Sequence, residues 1–181
     1  STPIKSSAAS DVYKRQMIGN PTPKVTYGFS LGVNYRNWSL DIDMMGQGGN
    51  QIFRTWDNYN FAQFNYMEQR LGRWHGEGTS DSQPLLNSKH SINTLNSDYY
   101  IESGRFFRIR NVQLAYAFDK SLLAKIRLQA LKVYVNIQNL KTWKHNTGYT
   151  PELGGTATAF GVDNGSYPVP AVYTFGINLT F

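Results

Sequence analysis

Apolar and polar residues alternate with period two over long stretches of the chain, the signature of strands with one apolar face. From Lys24 to Tyr35 the alternation is unbroken. Val25, Tyr27, Phe29, Leu31, Val33 and Tyr35 share one face, and Lys24, Thr26, Gly28, Ser30, Gly32 and Asn34 the other. After Arg36 and Asn37 it resumes as Trp38, Leu40, Ile42 and Met44 against Ser39, Asp41 and Asp43. A two-residue gap between alternating runs predicts a tight antiparallel hairpin, and the cluster Gly46 to Asn50 predicts the end of the second strand. A third strand is predicted from Phe106 to Phe118. Its apolar parity shifts from Phe107 and Ile109 to Val112, Leu114, Tyr116 and Phe118, which predicts a bulge near Arg110 and Asn111, because one extra residue swaps the faces. A fourth strand sets Leu131, Val133, Val135 and Ile137 opposite Lys132, Tyr134, Asn136 and Gln138. The last stretch, Ala171 to Phe181, puts Tyr173, Phe175, Ile177, Leu179 and Phe181 on one face.

The segments between these strands read short, long, short, long. Arg36-Asn37 and Asp119 to Ile126 are turns. Gln51 to Gly104 is a long connection with a helical pattern around Ala62 to Leu71, and Lys141 to Pro170 is a second one rich in Gly, Thr, Asn and Pro. Loops of such length are uncommon unless functional, and the first is expected to pack on itself. Tight turns at one end and long loops at the other are the build of outer-membrane barrels, with the turns periplasmic and the loops extracellular.

Strand length points the same way. Strands in soluble sheets cluster at about five or six residues, whereas a tilted membrane-crossing strand needs about nine to eleven. No apolar face carries a charge at its middle, where Arg or Lys would cost about 2–4 kcal/mol against lipid. Tyr35, Trp38, Phe118 and Phe181 fall at strand ends that this topology assigns to the periplasmic interface, as an aromatic girdle. The expected fold is all-β, with about five antiparallel up-and-down strands in the C-terminal part of a transmembrane barrel. A secreted, soluble β-rich carbohydrate-binding module is the alternative, since alternation alone does not distinguish lipid from the inside of a sandwich.

Composition alters this picture little. Mean hydropathy is −0.45, and no apolar run approaches the roughly 18 residues of a membrane helix, which leaves a barrel open because half its strand positions are polar. The absence of cysteine rules out disulfides, a thiol nucleophile and a Cys-type zinc site. The net charge of +6 is spread along the chain without a dense basic run, which argues against nucleic acid as a partner. His75, His90 and His145 have no companions at metal-ligand spacing, so neither metal nor cofactor is expected. Asp41 and Asp43 share a strand face and are read as solvated lumen charge rather than as an acid/base pair; no enzyme activity is expected. Residues 1–16 lack periodicity, and Ala8 to Gln16 resembles the translated end of a sequencing adapter. They are expected to be a non-native or disordered leader to a barrel segment at 17–181, with any export signal encoded upstream.

Several separated motifs carry a family resemblance: Ile18-Gly-Asn-Pro-Thr-Pro23 leading into Tyr27-Gly-Phe29; Gly46-Gln-Gly-Gly-Asn50 with Ile52-Phe53; Ser97-Asp-Tyr-Tyr-Ile-Glu102 with Phe106 to Tyr116; Val133-Tyr-Val135 with Gln138-Asn-Leu140; Gly148-Tyr149 with Pro151-Glu152; and Tyr167-Pro168 with Tyr173 to Phe181. In this order they resemble the C-terminal barrel segment of SusC/RagA-type TonB-dependent outer-membrane transporters. Thr150 departs from the pattern, since the family commonly has Asp there, and the plug, the TonB box and most strands of a barrel of about 22 are not in this sequence. The resemblance implies import of an oligosaccharide or peptide across the outer membrane of a Gram-negative bacterium. Its implied partners are outer-membrane lipid, a SusD-like lipoprotein lid, the TonB complex acting through the plug, and the barrel assembly machinery. Tyr173, Phe175, Gly176, Ile177, Leu179 and Phe181 look like the C-terminal β-signal, beside their lipid-facing role. Trp56, Tyr59, Trp74 and Trp143 fall in the expected extracellular loops, where aromatic faces can stack on a sugar, contact the lid, or pack the loop itself.

Overall fold

The computed structural model describes residues 17–56, 68–85, 96–124 and 128–181. The expected leader at 1–16 lies outside these residues. Five strands form one antiparallel sheet in the order β1 (Val25–Tyr35), β2 (Trp38–Gly48), β5 (Phe106–Ala117), β6 (Ala130–Lys144) and β8 (Val172–Thr180). Each strand pairs with its predecessor in this series, so the topology is up-and-down and the sheet is open.

The first hairpin turns at Arg36-Asn37, with Tyr35 opposite Trp38. Arg36 takes a φ of 51°, the left-handed conformation that tight hairpin turns demand. Asn37 Nδ2 donates to Asp119 Oδ1 at 2.8 Å, which ties this turn to the next one at the same end of the sheet. There Asp119 leads into a single helical turn, α1 (Lys120–Leu123).

The predicted bulge is present. Asp43 pairs with Asn111 and Met44 with Ile109, so Arg110 is the extra residue. Towards β6 the disruption is wider: Ile109 faces Lys141 and Asn111 faces Gln138, leaving Asn139 and Leu140 outside the ladder as well. Asn139 has a φ of 53°, and its side-chain amide donates to the Pro170 carbonyl. Two extra residues on β6 preserve its parity, so the strand continues to Lys144 rather than stopping near Gln138.

The long connections build a second sheet, β4 (Ile101–Ser103), β3 (Gln51–Arg54) and β7 (Val162–Asp163), in which β3 and β7 run parallel. Among the described residues the most deeply buried side chains, Ile52, Tyr100, Pro151 and Asp163, belong to this loop-borne cap, while Phe106 and Ala115 of β5 and Leu123 of α1 are buried outside it. The helical pattern at Ala62 to Leu71 falls partly outside the described residues; its last part joins a 3-10 turn at Glu68–Gly72.

Candidate functional site

The apolar face of the five-stranded sheet has no second layer over it among the described residues. Phe29, Leu31, Tyr173, Phe175 and Ile177 are between 51% and 79% exposed. Leu31 lies opposite Ile42, Ile42 opposite Val112, Val112 opposite Ile137 and Ile137 opposite Tyr173, so apolar side chains run edge to edge across the sheet. A contiguous face of this size exceeds what soluble monomers leave in water, and a sandwich would have to cover it.

Aromatic rings bound this band at both ends. At the short-turn end, the Trp38 and Tyr116 rings are 4.8 Å apart and Phe118 meets Tyr116 edge-on at 5.0 Å. Tyr35, opposite Trp38, is 65% exposed, and Phe181 follows β8 at the same end. At the loop end, Tyr27 stacks on Phe107 at 6.5 Å and Phe107 on Trp143 at 5.7 Å. Trp143, expected in a loop, thus belongs to β6 and to the apolar face. Its place was readable, because Trp143 has the same parity as Leu131 to Ile137. Gly46 makes room for this row: a Cβ there would meet the Tyr27 ring at 2.5 Å. At about 3.4 Å per residue, Tyr27 to Tyr35 spans about 27 Å along the strand, or about 20 Å in height at a tilt near 40–45°. Outer-membrane barrels show an apolar band of about 25 Å between two such girdles. Lys141, opposite Ile109, stands one step inside the loop-end row, where a long side chain reaches the interface.

β8 supplies Tyr173, Phe175, Ile177 and Leu179 to the apolar face, and its far edge pairs with no strand among the described residues. Gly176 lies on the polar face directly beneath Tyr134, whose ring carbon would sit 2.1 Å from a Cβ at that position.

In the cap, Arg54 Nη1 donates to Glu102 Oε1 at 2.6 Å, with side-chain exposures of 8% and 12%. The Arg54 guanidinium also lies 5.6–5.8 Å from the ring centres of Trp56, Tyr99 and Tyr100. Glu102 accepts from the Thr147 backbone N–H at 2.8 Å and from its hydroxyl at 2.6 Å, so one carboxylate fastens both long connections. Lys144 Nζ donates to the carbonyls of Asn146 and Gly148, and Arg108 pairs with Glu152. Trp56 is held within this cluster. Trp74, 41% exposed, lines a recess of about 460 Å³ with Asp81, Gln83 and Tyr99. Tyr59 and His90 lie outside the described residues.

The polar face carries Asp41 and Asp43 as expected, and Ser30 Oγ donates to Asp43 at 2.6 Å. Just below the cap, around the bulge, this face holds a cavity of about 830 Å³ lined by Ser30, Asp43, Arg108, Arg110, Gln138 and Glu152 among others.

No protein-family model matches the chain. It is 29% identical to TonB-dependent receptor P3 of Formosa agariphila over 92% of its own length and 17% of that protein. To TonB-dependent receptor P26 of the same organism it is 27% identical, over 91% and 18%. Among solved structures, it superposes on the RagAB peptide transporter with a TM-score of 0.75 at 29% identity, covering 89% of this chain and 18% of that one. The chain matches a barrel segment of SusC/RagA-type TonB-dependent receptors. A second structure, the RagAB peptide importer in its "open-open" state, gives 0.73 at 29% identity. The open sheet, the apolar band and the paired aromatic rows are what a wall segment of a TonB-dependent receptor barrel requires. The chain spans about a sixth of the length of these relatives.

Proposed function

We propose that this chain is part of a TonB-dependent transporter in the outer membrane of a Gram-negative bacterium, importing an oligomeric nutrient, glycan or peptide. The observation that carries the reading is the uncovered apolar face bounded by aromatic rows, opposite a polar face with a cavity. Lipid covers the first face, and the second lines the passage. In this reading the cap and the long connections are extracellular and receive a SusD-like lipoprotein as lid, while the Arg36-Asn37 end is periplasmic. Residues 17–181 are the C-terminal barrel segment, whose last strand, with Tyr173, Phe175, Gly176, Ile177, Leu179 and Phe181, is read by the barrel assembly machinery through its free edge. TonB acts through a plug encoded elsewhere in the parent protein. Trp74, on the rim of the recess, is a contact for substrate or lid. Tyr35, Trp38, Phe118 and Phe181 form the periplasmic girdle.

The relatives' names and the RagAB likeness support a transporter over a secreted binding module. The test uses the full-length parent. Leu31→Arg and Val135→Arg place a cation in the aliphatic band, at a cost of about 2–4 kcal/mol each, and are expected to lower the folded yield in the outer membrane sharply. Ser30→Arg, on the polar face, is expected to be tolerated. Equal yields for all three variants would remove the basis for assigning the apolar face to lipid.

A further inference from the structure

We infer that the cavity at the bulge is an anchoring site for a carboxylate of a peptide substrate, held by Arg110. The inference rests on the transporter reading and names the substrate class.

The bulge is where the sheet departs from regularity on two neighbouring strands at once, with Arg110 on β5 and Asn139 and Leu140 on β6 all outside the ladder. Such irregularities re-aim side chains, and Asn139 stays left-handed at a conformational cost that a plain strand avoids. The residue released is a cation. Arg110 is exposed, lines the cavity, and has no hydrogen-bond or ion-pair partner among the described residues. Its neighbour Arg108 is already paired with Glu152. Asp43, the other free-standing charge of the lining, is engaged by Ser30 and not by an arginine. Among the described residues the cavity therefore presents a guanidinium and a carboxylate that do not pair with each other, with the side-chain amides of Asn111, Gln138 and Asn139 in the same lining.

This set suits a peptide. A guanidinium fork binds a carboxylate through two parallel hydrogen bonds, and side-chain amides match the donors and acceptors of a main chain. A neutral sugar would leave both charges unused and would call for an aromatic face. The one aromatic residue in the lining, Phe29, belongs to the apolar face, where its ring lies 6.0 Å from that of Tyr27. The place is suitable too. Glu152, from the second long connection, forms part of the cavity wall, so the site lies at the level where a ligand passing the loops first meets the strands.

The test is binding of two synthetic peptides to the full-length transporter purified in detergent. One carries glutamates and a free C-terminus; the other has glutamines in their place and an amidated C-terminus. Arg110→Gln is expected to weaken the acidic peptide about tenfold, the scale of one charge-assisted pair, and to leave the neutral peptide unchanged. Arg110→Lys keeps the charge without the fork and is expected to recover part of the loss; it carries the same comparison if Arg110→Gln does not assemble. No loss, or an equal loss for both peptides, overturns the assignment. A wild-type transporter that assembles in the outer membrane but binds neither peptide also overturns it and leaves the transporter reading standing. Absence of the parent from that membrane defeats the transporter reading itself.

Discussion

Glu102→Ala in the full-length parent is expected to loosen the cap while leaving the barrel wall intact. The magnitude follows from what the carboxylate holds. Arg54 is 8% exposed in its side chain and loses the carboxylate 2.6 Å from its Nη1; removing one partner of a buried pair typically costs about 3–5 kcal/mol, less whatever its other contacts retain. Three aromatic rings remain around the guanidinium and offset part of this, at about 0.5–2 kcal/mol for a cation over a ring. The two hydrogen bonds from Thr147 are lost as well, each worth about 1.5–3 kcal/mol to a charged acceptor and not additive with the first loss. A net local loss of about 3 kcal/mol raises the open fraction of the cap about a hundredfold. Amide hydrogen exchange reads it directly: protection at Phe53, whose N–H reaches the Gly161 carbonyl, and at Thr147 is expected to fall by that factor, while the β5–β6 ladder keeps its rates. Replacing both partners, Arg54→Met with Glu102→Leu, is expected to restore much of the protection at Phe53, since an apolar pair of similar size carries no stranded charge, while Thr147, whose acceptor is gone, stays unprotected. Unchanged exchange at Phe53 and Thr147 in Glu102→Ala, or a loss spread evenly into the main sheet, would refute this account of the cap.

Two further outcomes are expected. Gly176→Val should lower the folded yield of the parent, because its side chain would occupy the space of the Tyr134 ring, and Tyr134→Ala should restore it; a combined variant no better than Gly176→Val would mean that the ring is not the obstacle. Deletion of Phe181 should lower outer-membrane yield by removing the last aromatic residue beside the short-turn girdle, and unchanged insertion would count against both its girdle and its β-signal roles.

The main sheet was legible because alternation is a long signal. Each strand carries enough apolar positions to fix its face, and the parity shift between Ile109 and Val112 gave the bulge its position before any coordinates. The cap was not legible, for a physical reason. Its strands are two to four residues long, too short for a period to register, and they are joined by pairings distant in sequence, such as β3 with β7 and Arg54 with Glu102. Composition shows that charges are present in the loops but not which of them are buried together. Trp143 was misplaced on similar grounds, because the break at Asn139 and Leu140 looked like the end of a strand rather than a second irregularity inside it.

The two parts of the chain are stabilised by opposite means. In the cap, apolar residues and the ion pair of Arg54 with Glu102 are packed away from water among the described residues. In the sheet, neighbouring strands are joined by long ladders interrupted only around Arg110, Asn139 and Leu140, yet none of the described residues covers the apolar face; Phe175 and Phe181 remain 79% and 80% exposed. At about 25 cal/mol per Å² of apolar surface, the free energy of covering that face has to come from another phase or from more protein. The outer edges of β1 and β8, which pair with no strand among the described residues, carry the same requirement sideways, since an open strand edge takes up further strands. Lipid against one face and neighbouring strands at both edges satisfy these needs together, and the band between Tyr27 and Tyr35 carries a single charge among these rows, Lys141, near enough to the loop end for its long side chain to reach the interface.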